Sequence, residues 1–156
     1  MEGYVAEQES ADLDRLVAAL LEEIARQEAA RFSAKVLAEA RNPRNMGAML
    51  QPDGHAALNG ACGDRMEVFL RLDGSLIERA TFLTDGCGPT VACGSMLTAM
   101  VVGKTVEEAA AIRAVDLVAA LDGLPEEHVH CASLAVNTMR LALLSNEEPD
   151  EPLRAS

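Results

Sequence analysis

Three short stretches of the chain carry residue types that can do chemistry. Cys62-Gly63-Asp64 sets a thiol two residues from a carboxylate, Cys87 stands between Gly86 and Gly88, and His130-Cys131 puts an imidazole beside a thiol. Pro89 suits the first turn of a helix, so Cys87 reads as lying at a helix N-terminus. There the macrodipole favours the thiolate, the form that binds metal and attacks sulfur electrophiles. On an extended segment residues i and i+2 point to one side, which lets Cys62 and Asp64 face a common ion. The alternative is an Asp64 that only caps or solvates the strand. His130-Cys131 reads either as a nucleophile with its base or as two metal ligands. Three thiols with oxygen and nitrogen donors select iron–sulfur clusters, zinc or copper(I) over magnesium or calcium. No Cys-x-x-Cys occurs and the three thiols stand far apart in the chain, so this is no zinc-finger knot. A fold must assemble it. Three thiolates with a weaker, replaceable fourth donor suit a cluster that is built and then given away.

The elements that must position these residues are legible in part. Apolar runs over 65–72 and 76–84 flank Asp73-Gly74, a step that signals a hairpin with a two-residue turn. With Leu72 paired to Ser75, Asp64 falls opposite Leu83 and Cys62 opposite Asp85. That register leaves the Cys62 and Cys87 thiols roughly 7–10 Å apart. Residues 11–41 read as helical, with Leu13, Leu16, Val17, Leu20 and Ile24 in one stripe that Phe32 and Val36 continue. The polar patch at Gln27-Glu28 is either a break or a solvated turn of one long helix, and Asn42-Pro43 stops the helix. A short strand over 56–58 interrupts the loop-like stretch 41–60. Gly88-Pro89 opens a helix whose residues 91–102 are apolar on almost every face, hence buried. Cys93 on it reads as a packing residue, with a Cys87–Cys93 disulfide or redox pair as the alternative. Thr105 and Glu108 have capping-box spacing, and 114–121 and 132–144 read as further helices. Strands early and helices late predict an α+β fold, a small antiparallel sheet of about three strands packed against helices, with an extra N-terminal helix. The expected organisation is an acidic helical extension over 1–31, a domain over 32–145 and a frayed tail over 146–156.

Composition bounds the function. At 156 residues and 49% hydrophobic, the chain can build one real core and is not disordered. A net charge of −12 argues against nucleic acid as a partner, since phosphate contacts need clustered Lys and Arg. No apolar run reaches membrane-spanning length, so no membrane partner is expected. The acidic start is neither a secretory signal nor an Arg-rich transit peptide. A cytoplasmic location follows as the expectation, where cysteines serve metal or redox chemistry more than disulfides.

Five motifs then occur in order and spacing: Asn42-Pro43-Arg44-Asn45-Met46-Gly47, Ala61-Cys62-Gly63-Asp64-Arg65-Met66, Gly86-Cys87-Gly88, Gly103-Lys104-Thr105 and His130-Cys131-Ala132-Ser133-Leu134-Ala135. Over 32–145 the chain resembles the IscU/NifU-type iron–sulfur cluster assembly scaffolds. The resemblance implies a SufE/NifU-like fold and a carrier with no turnover of its own. Such a protein accepts sulfur from a cysteine desulfurase, binds iron, assembles a labile [2Fe–2S] cluster and passes it to apo iron–sulfur proteins. It implies Cys62, Cys87 and Cys131 as ligands or sulfur acceptors, Asp64 and His130 as exchangeable ligands, and Cys131 as the persulfide acceptor. Zinc is an alternative occupant of the same residues, and a frataxin-like protein and a ferredoxin are further implied partners.

The chain also departs from that pattern. Leu124-Pro125-Glu126-Glu127-His128 replaces a Leu-Pro-Pro-Val-Lys stretch, which weakens the expectation of a dedicated Hsp70 chaperone partner. His128, in the lysine position, offers an extra ligand or proton carrier but reads first as solvent-exposed. Cys93 stands where a small residue such as serine is usual. The alternative function is a zinc-held sulfur acceptor, a sulfurtransferase working with a desulfurase. The large insertion and missing histidine of the SufU-like branch are absent, which favours the scaffold.

Overall fold

The computed structural model describes residues 2–147, with side chains placed from 5 to 146. They fall into two compact units, one up to Phe32 and one from Ser33 onward. The first is a single helix, α1 (Glu2–Arg31), whose Leu13, Leu16, Val17, Leu20 and Ile24 side chains are exposed. The helix runs through the Gln27-Glu28 patch, where Gln27 donates to Glu23 one turn back (3.2 Å). The break comes at Phe32-Ser33. Ser33 is extended and its hydroxyl accepts from the Val36 N–H, an N-cap that starts a new helix by satisfying an orphan donor.

The second unit begins with α2 (Ala34–Arg41), which ends before Asn42-Pro43 as expected. Strands β1 (Gly54–Asn59), β2 (Arg65–Asp73) and β3 (Leu76–Thr84) form an antiparallel sheet in the order β1-β2-β3. Then follow α3 (Gly88–Val101), α4 (Val106–Ala110), α5 (Ala114–Ala120), a 3-10 turn (Glu126–His128) and α6 (Val129–Glu147). The fold is the expected α+β arrangement. Of the tail expected to fray from Asn146, residues 148–156 lie outside the described residues.

Strand alternation supplies the core. Met66, Val68 and Leu70 of β2 and Ala80 and Phe82 of β3 are buried, with α6 against β1 and β2 and α3 against β3. Helix α3 buries Ala92, Cys93, Leu97 and Val101 together with Thr90, Ser95 and Thr98. This matches the rule that a helix apolar on most faces belongs in the interior. Two glycines set the helix–sheet distance. A Cβ on Gly94 of α3 would fall 2.4 Å from the Phe82 ring, and one on Gly54 of β1 would fall 2.4 Å from the Ala142 carbonyl oxygen of α6.

The hairpin register differs from the expected one. Asp73 pairs with Leu76, so the turn is Gly74-Ser75, and Gly74 has φ +62°, the positive value a type II′ turn needs at its first position. Arg71 pairs with Arg79 but Leu72 with Ile77, leaving Glu78 as an extra residue in β3. This bulge advances every later pairing. Continuing the Met66–Thr84 pair by two places sets Asp64 across from Gly86 rather than Leu83. The outer edge of β3 is covered: Phe82 N–H donates to Asn45 O (3.0 Å) and Phe82 O accepts from Gly47 N–H (2.9 Å). The Asn45 side chain donates to Thr98 of α3 (3.3 Å).

Gly94→Ala is expected to cost about 1–3 kcal/mol by overpacking. Gly54→Ala should cost more, because a backbone carbonyl cannot turn aside as a ring can. Urea denaturation checks both, with the midpoint falling at unchanged slope.

Candidate metal centre

Three loop-to-element junctions converge on one pocket. The first is the turn before β2. Gly60 N–H donates to Asp64 O (2.6 Å), Gly63 N–H donates to Gly60 O (3.0 Å), and Gly63 has φ +85°. The segment is a tight turn, not a strand, so the i, i+2 rule does not apply to Cys62 and Asp64. Cys62 is exposed, while Asp64 is half-buried and its Oδ2 accepts from the Thr90 hydroxyl (2.9 Å). Leu134 of α6 lies beneath the turn: a Cβ on Gly60 would sit 3.1 Å from its Cδ2.

The second junction joins β3 to α3. Thr84 Oγ1 donates to Arg65 O (2.6 Å) and accepts from Gly86 N–H (3.0 Å), and Asp85 Oδ1 accepts from Arg65 N–H (2.8 Å). Cys87 is thereby held as the N-cap of α3, with Pro89 in the first turn. Gly86 has no room for a side chain. A Cβ there would meet Thr90 Cβ at 2.7 Å and Asp64 Oδ2 at 2.9 Å.

The third junction is the start of α6, and helical period sorts its residues. His128 precedes Cys131 by one turn, so the two share a face. His130 instead shares a face with Ser133, Leu134 and Asn137, and these border an open groove of about 250 Å³ beside residues 58–61. Its Nε2 is 3.7 Å from Cys131 Sγ. Cys131 itself is 1% exposed.

Thr90 ties the junctions together. Fully buried, its Oγ1 lies 2.9 Å from Asp64 Oδ2, 3.3 Å from Cys131 Sγ and 3.7 Å from Cys87 Sγ. Sequence reasoning missed it, because a threonine in an apolar helix gives no signal. Its place three residues after Cys87, on the same helix face, was the available clue. His128 is not the solvent-exposed residue its sequence position first suggests: it is half-buried, and its ring nitrogen lies with Cys87 Sγ and Cys131 Sγ, all three within 4.8 Å of one another. Among the described residues this is the group of three donors that close. Cys62, on its exposed turn, and His130, on the groove face, stand outside it, and Asp64 joins it through Thr90. Two thiols and an imidazole are soft donors suited to zinc, iron–sulfur or copper(I).

The thiols are not equivalent. Burial pushes the Cys131 thiol up, the Thr90 hydrogen bond partly opposes this, and Cys87, Asp64 and Cys62 add to the rise. Cys93, 0% exposed, is pushed far above the thiol range by burial and then by Cys131 and Cys87. It is a protonated core residue, and all four cysteines are free.

Comparison with known proteins gives a consistent result. The NifU-like N terminal domain family matches residues 31–149. Iron-sulfur cluster assembly scaffold protein IscU 1 of Archaeoglobus fulgidus is 39% identical over 114 residues, covering 72% of this chain and 74% of that protein. The IscU scaffold protein of Escherichia coli strain K12 is 36% identical over 117 residues, covering 72% and 91%. The N-terminal NifU-like protein of Brucella abortus, a solved structure, superposes with a TM-score of 0.61 at 21% identity, over 74% of this chain and 94% of that one.

Two outcomes follow from the thiol environments. In metal-free protein, Thr90→Val should slow alkylation of Cys131 at mildly alkaline pH, because it removes the hydrogen bond that favours thiolate, and Thr90→Ser should restore it. Mass spectrometry of the labelled peptide checks this; equal rates in all three proteins would contradict it. The unfolded chain releases the Cys93 proton above its ordinary value of 9.0 while the folded chain keeps it. Stability is therefore full below that pH and falls as pH rises past it. Cys93→Ala should flatten that alkaline fall, as read by denaturation midpoints across pH.

Proposed function

The chain belongs to the NifU-like N terminal domain family, and on that premise we propose that it is an iron–sulfur cluster assembly scaffold. The observation that carries this reading is the convergence of Cys87, Cys131 and Asp64 on the buried Thr90 hydroxyl, which links both sulfurs to the carboxylate. The cluster is cargo. Cys62, Cys87 and Cys131 hold its iron, and Asp64 and His130 serve as exchangeable ligands. Carboxylate and imidazole bind iron less strongly than a fourth thiolate, which keeps a [2Fe–2S] cluster labile enough to pass on.

Sulfur arrives by exchange. The Cys131 thiolate attacks the outer sulfur of a desulfurase persulfide. A new S–S bond forms on Cys131, the donor's S–S bond breaks, and the donor cysteine leaves as thiolate. Because Cys131 is buried, the site must open before this transfer, and the exposed Cys62 and Cys87 are the thiols that an incoming persulfide meets first. The partners are a cysteine desulfurase, apo iron–sulfur proteins, a frataxin-like protein, and a ferredoxin supplying electrons. Residues 124–128 lack the second proline and the lysine on which a dedicated Hsp70 contact would rest. Four free thiols suit a reducing compartment, and on that ground we assign the protein to the cytoplasm; no helix of the described residues is long and apolar enough to cross a membrane.

The Cys87–His128–Cys131 grouping favours a second reading, a zinc-held sulfur acceptor. One experiment separates the two. Anaerobic incubation with iron, cysteine and a catalytic amount of desulfurase should give brown protein with sulfur-to-iron charge-transfer absorption. Alanine at Cys62, Cys87 or Cys131 should abolish or severely reduce it. Protein that stays colourless, yet accelerates the desulfurase only when zinc is bound, would establish the second reading instead.

A further inference from the structure

Two histidines flank Val129 where the 3-10 turn passes into α6. His128 ends the 3-10 turn, its N–H donating to Pro125 O (2.8 Å). Lying one turn before Cys131, it faces the pocket. His130 follows the groove face with Ser133, Leu134 and Asn137. The two rings lie with centroids 6.4 Å apart, so a single small ion at the thiols has a choice of imidazole. We propose that His128, not His130, is the imidazole ligand of a mononuclear zinc site completed by Cys87 and Cys131.

The distances favour it. In tetrahedral zinc with metal–sulfur bonds near 2.3 Å and metal–nitrogen bonds near 2.0 Å, neighbouring donors lie about 3.5–3.8 Å apart. The three donors already lie within 4.8 Å of one another, so ligation asks each side chain to close by about an ångström or less. His130 approaches Cys131 at 3.7 Å but falls outside that group. The i, i+3 pairing of His128 with Cys131 fixes two ligands on one helix face, and Cys87 at the start of α3 supplies the third. Three protein ligands leave one position open. Zinc held this way occupies two of the thiolates a cluster needs and leaves Cys62 and His130 outside, so zinc on His128 and a cluster are exclusive occupants.

This inference deepens the preceding reading and rests on its soft-metal pocket. The test uses the full chain, metal-free, titrated with zinc against a chromophoric chelator, and with cobalt(II) to read thiolate charge-transfer and ligand-field bands. His128→Ala and His128→Gln should each weaken zinc by at least about tenfold, the loss expected even for residues that merely orient ligands, and should change the cobalt ligand-field bands. His130→Ala should weaken zinc less than either His128 variant and leave the cobalt ligand-field bands closer to those of the wild type. Circular dichroism of the metal-free variants checks folding, and the glutamine variant keeps the side chain polar should alanine open the pocket. Wild-type affinity in both His128 variants, an equal loss in His130→Ala, or no zinc binding by the wild type would overturn the proposal. Cluster assembly measured in parallel keeps the two readings apart. Zinc bound through His128 without any cluster sinks the scaffold and not this site; a cluster formed while zinc ignores His128 does the reverse.

Discussion

A carbonyl oxygen of α6 occupies the place where a side chain on Gly54 would have to be. That contact fixes how closely the last helix lies on the first strand, and most of the second unit follows from it. At this spacing Leu134 reaches up beneath Gly60 and supports the turn that carries Cys62 and Asp64. Cys131, at the head of the same helix, is carried into the interior instead of standing at the surface. On the other side Gly94 lets α3 lie on Phe82, which brings Thr90 inward and leaves Cys87 exposed at the start of the helix. The pocket is where two helix starts and one turn are pressed together, and glycines at both helix–sheet contacts set the pressure.

Much of this was legible in the chain. Pro43, Gly88-Pro89 and the Thr105–Glu108 box marked helix ends because each acts through local backbone geometry, and local geometry is what a sequence states most directly. The type of fold followed from strands preceding helices. The hairpin register was not legible, since a bulge at Glu78 depends on how the finished sheet packs. Nor was the break before α2: Gln27-Glu28 fits a break or a solvated turn equally well in the sequence, and it is the turn, with a side-chain bond back to Glu23, while Ser33 supplies the cap of the next helix.

The site shows the same division. Cys62, Cys87, His130 and Cys131 could be singled out by type and by their neighbours. Which of them meet is a question of helix rotation and turn shape. Gly63, with its positive φ, turns Cys62 away from Asp64 where strand alternation would have aligned them. The residue next to a cysteine in sequence, His130, is less involved in the close donor group than the one a turn earlier. Thr90 carried no signal beyond its spacing from Cys87, because a hydroxyl proton shared among a carboxylate and two sulfurs is a property of three distant segments. Serine and threonine have one proton to give, so those acceptors compete for it.

The covering of β3 by residues 45–47 has a consequence for how copies of this protein behave toward each other. An open strand edge is a template on which another chain can polymerise. Here the Phe82 N–H and carbonyl are already taken by Asn45 and Gly47, and Asn45 is anchored to α3. The strand that leads into Cys87 is thereby closed, along that stretch, to recruitment into an intermolecular sheet. A protein that must open its pocket to exchange cargo can do so without baring the seed of a fibril there.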